Sequence, residues 1–283
     1  MRSSAASDVY KRQAGIVGLP NVGKSTLFNA ITKAGAEAAN YPFATIDPNV
    51  GMVEVPDWRL ERLTELVHPK KTVPTTFEFT DIAGIVKGAS KGEGLGNQFL
   101  SHIRQVDAIC HVVRCFDNEN ITHVEGRVDP LEDIETINLE LVLADLDSVN
   151  KRYTRVAKVA KTKEKNAVAE LAILDKLKPI LEEGQSARTI EFTEEEEKIV
   201  KSLFLLTSKP VLYVANVDED TVADPDSNEY VQIVRNFAAG EHSEVIVVCA
   251  EAEEEIAELE DEDKAEFLEA MGIEESGLDQ LIR

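Results

Sequence analysis

Apolar and polar positions along this chain follow two periods. The run AGIVGL, residues 14–19, is continuously apolar and reaches Gly18 near its end, the pattern of a strand buried on both faces that feeds a turn. KSTLFNAITKAG follows with Leu27, Ile31 and Ala34 at helical spacing and Gly35 as the stop. NYPFATIDPN is irregular and carries Pro42 and Pro48, which predicts a loop, and GMVEV alternates as a strand. DWRLERLTELVHP sets Trp58, Leu60, Leu63, Leu66 and Val67 on a helical period behind Asp57 as N-cap. TTFEFTDIAG reads as a strand ending on Asp81. KGASKGEGLGN, with Gly88, Gly92, Gly94 and Gly96, reads as a flexible loop. AICHVVRCF, KPVLYVANV and EVIVVCA are further buried strands. Strands alternating with helices predict an α/β fold, a doubly wound and mostly parallel sheet with its ligand at the C-terminal ends of the strands.

From about Asp129 to Ser208 the strand pattern stops and helix formers take over. Ile134, Ile137, Leu141 and Ala144 repeat at three and four, and after a polar gap Val168, Leu171, Leu174, Leu177 and Leu181 do the same. This predicts a helical hairpin inserted between two strands of the sheet. The expected organisation is a disordered or foreign leader over 1–13 and a first sheet portion over 14–128. The insertion then covers 129–208, and a second sheet portion with an acidic helix covers 209–283.

Composition narrows the partners. Hydrophobic content of 43% and charged content of 29% are those of a globular protein, and no apolar run approaches a membrane span. A net charge of −23 and a pI near 4.6 exclude nucleic-acid binding over the whole surface, so any RNA contact must be local. One local patch offers itself at the turn of the hairpin, where Lys151, Arg152, Arg155, Lys158, Lys161, Lys163 and Lys165 meet only Glu164. It is either a solvated helix end or a contact for RNA or the ribosome. Residues 251–269, with eleven acids and one lysine, read instead as a solvated helix face. Cys110, Cys115 and Cys249 form no CxxC pair and read as free thiols of a reducing cytoplasm.

GLPNVGKST, residues 18–26, fits G-x-x-x-x-G-K-[ST] between a predicted strand and a predicted helix. Amides of Asn21, Val22, Gly23, Lys24, Ser25 and Thr26 would converge on phosphates at a helix N-terminus. Lys24 would reach the β- and γ-phosphates and serve catalysis, and the Ser25 hydroxyl would ligate Mg²⁺. Asp81-Ile-Ala-Gly84 fits D-x-x-G, with Asp81 holding Mg²⁺ through water and the Gly84 amide sensing the γ-phosphate. Thr45, in the loop before the second strand, would complete the metal shell. In this order the three elements point to a translation-factor-like nucleotide switch. A P-loop kinase would need an arginine-rich lid, which the glycine-rich segment after Asp81 lacks.

Guanine-specific switches read the base with N-K-x-D after a late strand. Here that strand runs into Asn216-Val217-Asp218-Glu219, with Val217 at the lysine position and Glu219, one methylene longer, at the aspartate position. A site without the paired guanine acceptor loses the discrimination that partner confers, so relaxed guanine specificity and adenine binding are expected. Cys249-Ala250-Glu251 falls where such proteins place their last base-contacting loop.

GLPNVGKSTLFNAITKAGAEAANYPFATIDPNVG, DIAGIVKGASKGEGLGNQFL, HVVRCF and NVDE together resemble the YchF, or Obg-like ATPase, family, from about Ala14 to Arg283. The resemblance implies a Ras-like P-loop domain with a coiled-coil-like helical insertion. It also implies cytoplasmic location, binding to the large ribosomal subunit, and hydrolysis of ATP as well as or better than GTP. Members begin a few residues before the first strand and continue into a C-terminal TGS domain, so 1–13 reads as foreign and the end of this chain as lying before that domain. Where Ras-type enzymes place a water-orienting Gln, this chain has Ile85. His123, in DNENITHVEG, matches the histidine the family is thought to use instead, and its pKa range suits it to orient or deprotonate water. His111, inside an apolar strand, reads as a core histidine. Asn21 matches the position where potassium-stimulated relatives hold K⁺, against the alternative of an asparagine favoured by the turn. The alternative function is a non-catalytic, ATP-dependent regulator of translation or stress response.

Overall fold

The computed structural model describes residues 12–34, 50–82, 95–118, 120–121 and 126–282. Six strands make one sheet: β1 Arg12–Val17, β2 Val50–Glu54, β3 Thr76–Asp81, β4 Ala108–Arg114, β5 Val211–Asn216 and β6 Glu244–Val248. Their order is β2-β3-β1-β4-β5-β6, parallel throughout except for the edge strand β2. The order reverses at β1, with β3 on one side and β4 on the other, so the crevice at the C-terminal ends of β1 and β4 is the topological switch point. Ile16, Val17, Phe79, Val113, Val214 and Val248 are all buried in one continuous core, as the apolar strand runs predicted.

The first helix, α1 Lys24–Ala34, leaves β1 through the glycine-rich loop. β1 itself starts at Arg12, and the Gln13 amide donates to Asp107 Oδ2 at 3.0 Å, so Arg12 and Gln13 belong to the sheet and not to a leader. The second helix, α2 Trp58–Val67, has Asp57 as its N-cap, accepting from the Arg59 amide. Its apolar face is not core, however: none of its residues is buried against the described part of the fold, and Trp58 is 74% exposed. The helix lies in the connection between the edge strand β2 and its antiparallel neighbour β3. The third helix, α3 Leu95–Gln105, begins inside the stretch expected as a glycine-rich loop.

Between β4 and β5 the chain forms an arm. Its first helix, α4 Pro130–Ala160, starts at Asp129, whose carboxylate accepts the Glu132 amide, with Pro130 at the first position. At about 1.5 Å per residue its 31 residues span roughly 46 Å. The return helix, α5 Lys165–Glu182, is capped by Glu164, and a short α6 Glu194–Ser202 with a Thr193–Glu196 capping box leads back to β5. Val142, Val149, Val156, Leu174, Leu177 and Leu181 give the arm a core of its own. Val168, expected in the helical stripe, is instead exposed near the turn.

After β5 come α7 Glu219–Val222, α8 Glu229–Gly240, and, beyond β6, α9 Ala250–Ile256, α10 Asp261–Met271 and α11 Gly277–Ile282. The acidic stretch is therefore two helices, not one solvated face. Glu253 in α9 is 3% exposed, and its carboxylate accepts the amides of Gly277 at 2.6 Å and Leu278 at 3.1 Å at the start of α11. Among the described residues no helix is long and apolar enough to cross a membrane.

Candidate nucleotide-binding site

The site is built on the loop from β1 into α1. The Leu27 amide donates to Gly23 O at 3.0 Å and starts the helix. Gly23 has φ 94°, and a Cβ there would lie 2.1 Å from Asn216 Nδ2, so both backbone conformation and space demand glycine. Asn21 also sits in the left-handed region at φ 63°, where asparagine is among the tolerated residues. Asn216, at the end of β5 and 3% exposed, ties three elements together. Its Nδ2 donates to Val22 O at 3.0 Å, and its Oδ1 accepts the Ala250 amide at 2.9 Å.

A cavity of about 630 Å³ opens above this loop. Its floor is Asn21, Gly23, Lys24, Ser25 and Thr26. One wall is Phe116, Asp117, Asn118 and Ile121 after β4, and the other is Asn216, Val217, Asp218, Ala250 and Glu251 after β5 and β6. Burial draws the Lys24 ammonium pKa below its usual value, and the Asp81 carboxylate acts in the opposite direction.

Asp81 closes β3 and pairs in register with Ile16 of β1, one strand from the loop. Its Oδ1 is buried and, among the described residues, has no hydrogen-bond partner. A buried, unsatisfied carboxylate oxygen close enough to act on Lys24, and the Ser25 hydroxyl in the cavity lining, are hard-oxygen donors of the kind that suit Mg²⁺, an ion that takes one or two protein groups and completes its shell with phosphates and water. Among the described residues no group of three or more His, Cys, Asp or Glu side chains is placed to hold a metal.

The structure brings Asn21, Gly23, Lys24, Ser25, Thr26, Asn216 and Val217 to one cavity. Val22 lies beneath it, 1% exposed, with its carbonyl committed to Asn216. Glu219 is not part of the lining. The chain turns into α7 at this point, and Asp218, which does line the cavity, spends Oδ1 on capping that helix through the Thr221 amide at 3.0 Å. Thr45, Gly84, Ile85 and His123 lie outside the described residues. His111 is 2% exposed, and burial, with the nearby Arg188 guanidinium adding to it, pushes its pKa down to about 3, so it is a neutral core residue. All three cysteines are buried free thiols, with Cys249 pushed up to about 11 chiefly by burial. Sequence reasoning missed the wall after β4. Its signal was positional only: a loop directly following the strand beside β1 at a switch point.

Comparison with known proteins gives a consistent set of likenesses. Residues 13–169 match the family model described as a 50S ribosome-binding GTPase. The chain is 74% identical over 270 residues to the ribosome-binding ATPase YchF of Bacillus subtilis (strain 168), covering 95% of this chain and 74% of that protein. It is 56% identical over 271 residues to the ribosome-binding ATPase YchF of Escherichia coli O157:H7, covering 96% and 74%. The solved structure of the Schizosaccharomyces pombe YchF GTPase aligns with a TM-score of 0.83 at 40% identity, over 96% of this chain and 74% of that one.

Proposed function

The chain belongs to the YchF family of ribosome-binding ATPases and is a P-loop NTPase, and on that footing we propose that it is a magnesium-dependent switch that binds ATP as well as GTP and whose hydrolysis is coupled to the ribosome. The observation that carries the base preference is the guanine-reading position. Glu219 stands outside the cavity, Asp218 is engaged in capping α7, and Val217, 2% exposed, replaces the lysine. The acids that line the cavity on this side, Asp218 and Glu251, are not the residue at the aspartate position of N-K-x-D, which supports relaxed guanine specificity.

In this reading the amides of 21–26 and the Lys24 ammonium bind the β- and γ-phosphates. Ser25, Asp81 (through water) and Thr45 would hold Mg²⁺, which would supply positive charge against that developing on the phosphate oxygens. The Gly84 amide senses the γ-phosphate. His123 takes the place of the absent glutamine: it orients the attacking water and accepts its proton as oxygen bonds to the γ-phosphorus and the β–γ bridging bond breaks, with ADP leaving. Asn21 supplies a K⁺ position beside the phosphates. The basic turn of the arm, 151–165, meets ribosomal RNA of the large subunit in the cytoplasm, because Arg155, Lys158, Lys161, Lys163 and Lys165 are exposed and, among the described residues, carry no ion pair.

The experiment is nucleotide titration and steady-state turnover with Mg²⁺ and K⁺, with and without ribosomes. ATP should bind at least as well as GTP, and ribosomes should raise turnover. A preference for GTP by orders of magnitude sinks the base assignment, and turnover indifferent to ribosomes sinks the coupling.

A further inference from the structure

Arg114 closes β4 and is 2% exposed, among the largest fully buried side chains of the described residues. A buried guanidinium is costly unless its charge and its N–H groups are compensated. Among the described residues no carboxylate pairs with it. Its donors fan instead onto backbone carbonyls: Nε to Phe116 O at 3.0 Å, Nη1 to Ile121 O at 3.0 Å and Nη2 to Asn118 O at 3.3 Å. Its guanidinium carbon lies 4.7 Å from the Phe116 ring centroid. All three acceptors belong to the segment that walls the nucleotide cavity, and Phe116, Asn118 and Ile121 themselves line it. The same segment is held from α8: the Tyr230 hydroxyl donates to Asp117 Oδ2 at 3.1 Å, and Asn228 Nδ2 donates to Cys115 O at 3.1 Å.

We propose that Arg114, with Tyr230 holding Asp117 of the same segment, is a positioning residue for nucleotide binding. It holds Phe116, Asp117, Asn118 and Ile121 in place as the wall of the cavity. The inference rests on reading the cavity as a polyphosphate site. A loop beside an anionic ligand is unfavourable if its carbonyl oxygens are free to face the phosphates, because the negative ends of those dipoles oppose the ligand's charge. Arg114 commits three of these oxygens to itself before the ligand arrives and sets a positive charge behind the wall. An aliphatic side chain would fill the same volume without the desolvation cost, but it would leave the carbonyls uncommitted. The electrostatic arrangement is preorganised, so binding need not reorganise it. The guanidinium fork is essential to this, since an ammonium cannot meet three acceptors in one plane.

The test measures KM and kcat for ATP, with melting temperature, in Arg114→Lys, Arg114→Met and Tyr230→Phe. Each Arg114 variant should raise KM about tenfold or more while kcat at saturation stays within about twofold, the split expected when binding interactions are lost and the chemical step is intact. Tyr230→Phe, which removes one hydroxyl outside the core, should raise KM about threefold at unchanged melting temperature. A folded Arg114 variant with the parent's KM overturns the proposal, as does one that lowers kcat with KM unchanged. If neither Arg114 variant folds, Tyr230→Phe decides: a raised KM supports the proposal and an unchanged one overturns it. Absence of saturable ATP binding by the parent protein overturns the polyphosphate reading itself, and this inference with it.

Discussion

Single residues at the site carry more than one duty. Asn216, expected as a base contact, lines the cavity and also ties the loop carbonyl of Val22 to the first amide of α9. Asn216→Ala should leave both groups buried and unpaired, at about 1–3 kcal/mol each. Urea unfolding should report the loss, and ATP titration a weakening of about tenfold or more. His111 shows the opposite case, a histidine with no part in the chemistry. Its pKa is lowered from 6.5 to about 3 in the fold, so the unfolded chain binds the extra proton between those values. Stability is complete above about pH 6.5 and falls as the pH drops, by about 1.4 kcal/mol per unit. His111→Phe should remove about 2 kcal/mol of the difference between unfolding free energies at pH 7 and pH 5. His123→Ala should slow ATP turnover with little change in affinity, and an unchanged single-turnover rate would remove His123 from the mechanism. The P-loop residues were legible because their spacing is itself the phosphate-binding geometry. Glu219, expected as a base contact, lies outside the cavity lining, because a helix begins at that residue, which one-letter alignment to N-K-x-D does not reveal.

At the scale of elements, periodicity located the strands within a residue or two, since a parallel sheet buries both faces and leaves continuous apolar runs. It failed to say which helical faces are covered. The heptad-like spacing in α2 and in α4 is similar, yet the face of α4 is core and that of α2 is solvent-exposed, because coverage depends on what lies alongside in space. The acidic C-terminal stretch misled for a related reason. Glu253 is an acid among acids in sequence, and only its position under α11 makes it a buried cap. Gly277, the first residue of α11, is equally dependent on place. A Cβ there would meet Val248 Cγ1 at 2.4 Å and Glu253 Oε1 at 3.0 Å. Gly277→Ala should therefore cost about 1–3 kcal/mol by overpacking and lower the melting temperature, while P-loop binding of ATP is retained.

At the scale of the whole molecule, charge is divided. A chain of net charge −23 carries five exposed cations, Arg155, Lys158, Lys161, Lys163 and Lys165, with no ion pair among the described residues, at the far end of an arm with a separate core. Replacing Lys158, Lys161 and Lys163 by Glu should weaken co-sedimentation with ribosomes by about tenfold or more and flatten its dependence on salt, because fewer counterions are released. Turnover of ATP without ribosomes should be unchanged within about twofold, since the arm tip is remote from the P-loop in the chain's architecture. Co-sedimentation equal to that of the parent would leave the tip as a solvated helix end.

By itself the sequence determined the alternation of strands and helices, the place of the inserted hairpin, the phosphate loop and the departure from the N-K-x-D pattern. These depend on periodicity and on spacings of a few residues, which covalent geometry converts directly into local structure. Only the tertiary structure decided what Arg114, Asn216 and Glu253 do and which acid meets the cavity. Each of those roles is a contact between segments brought together by strand order, and its energy comes from burial that no single segment possesses.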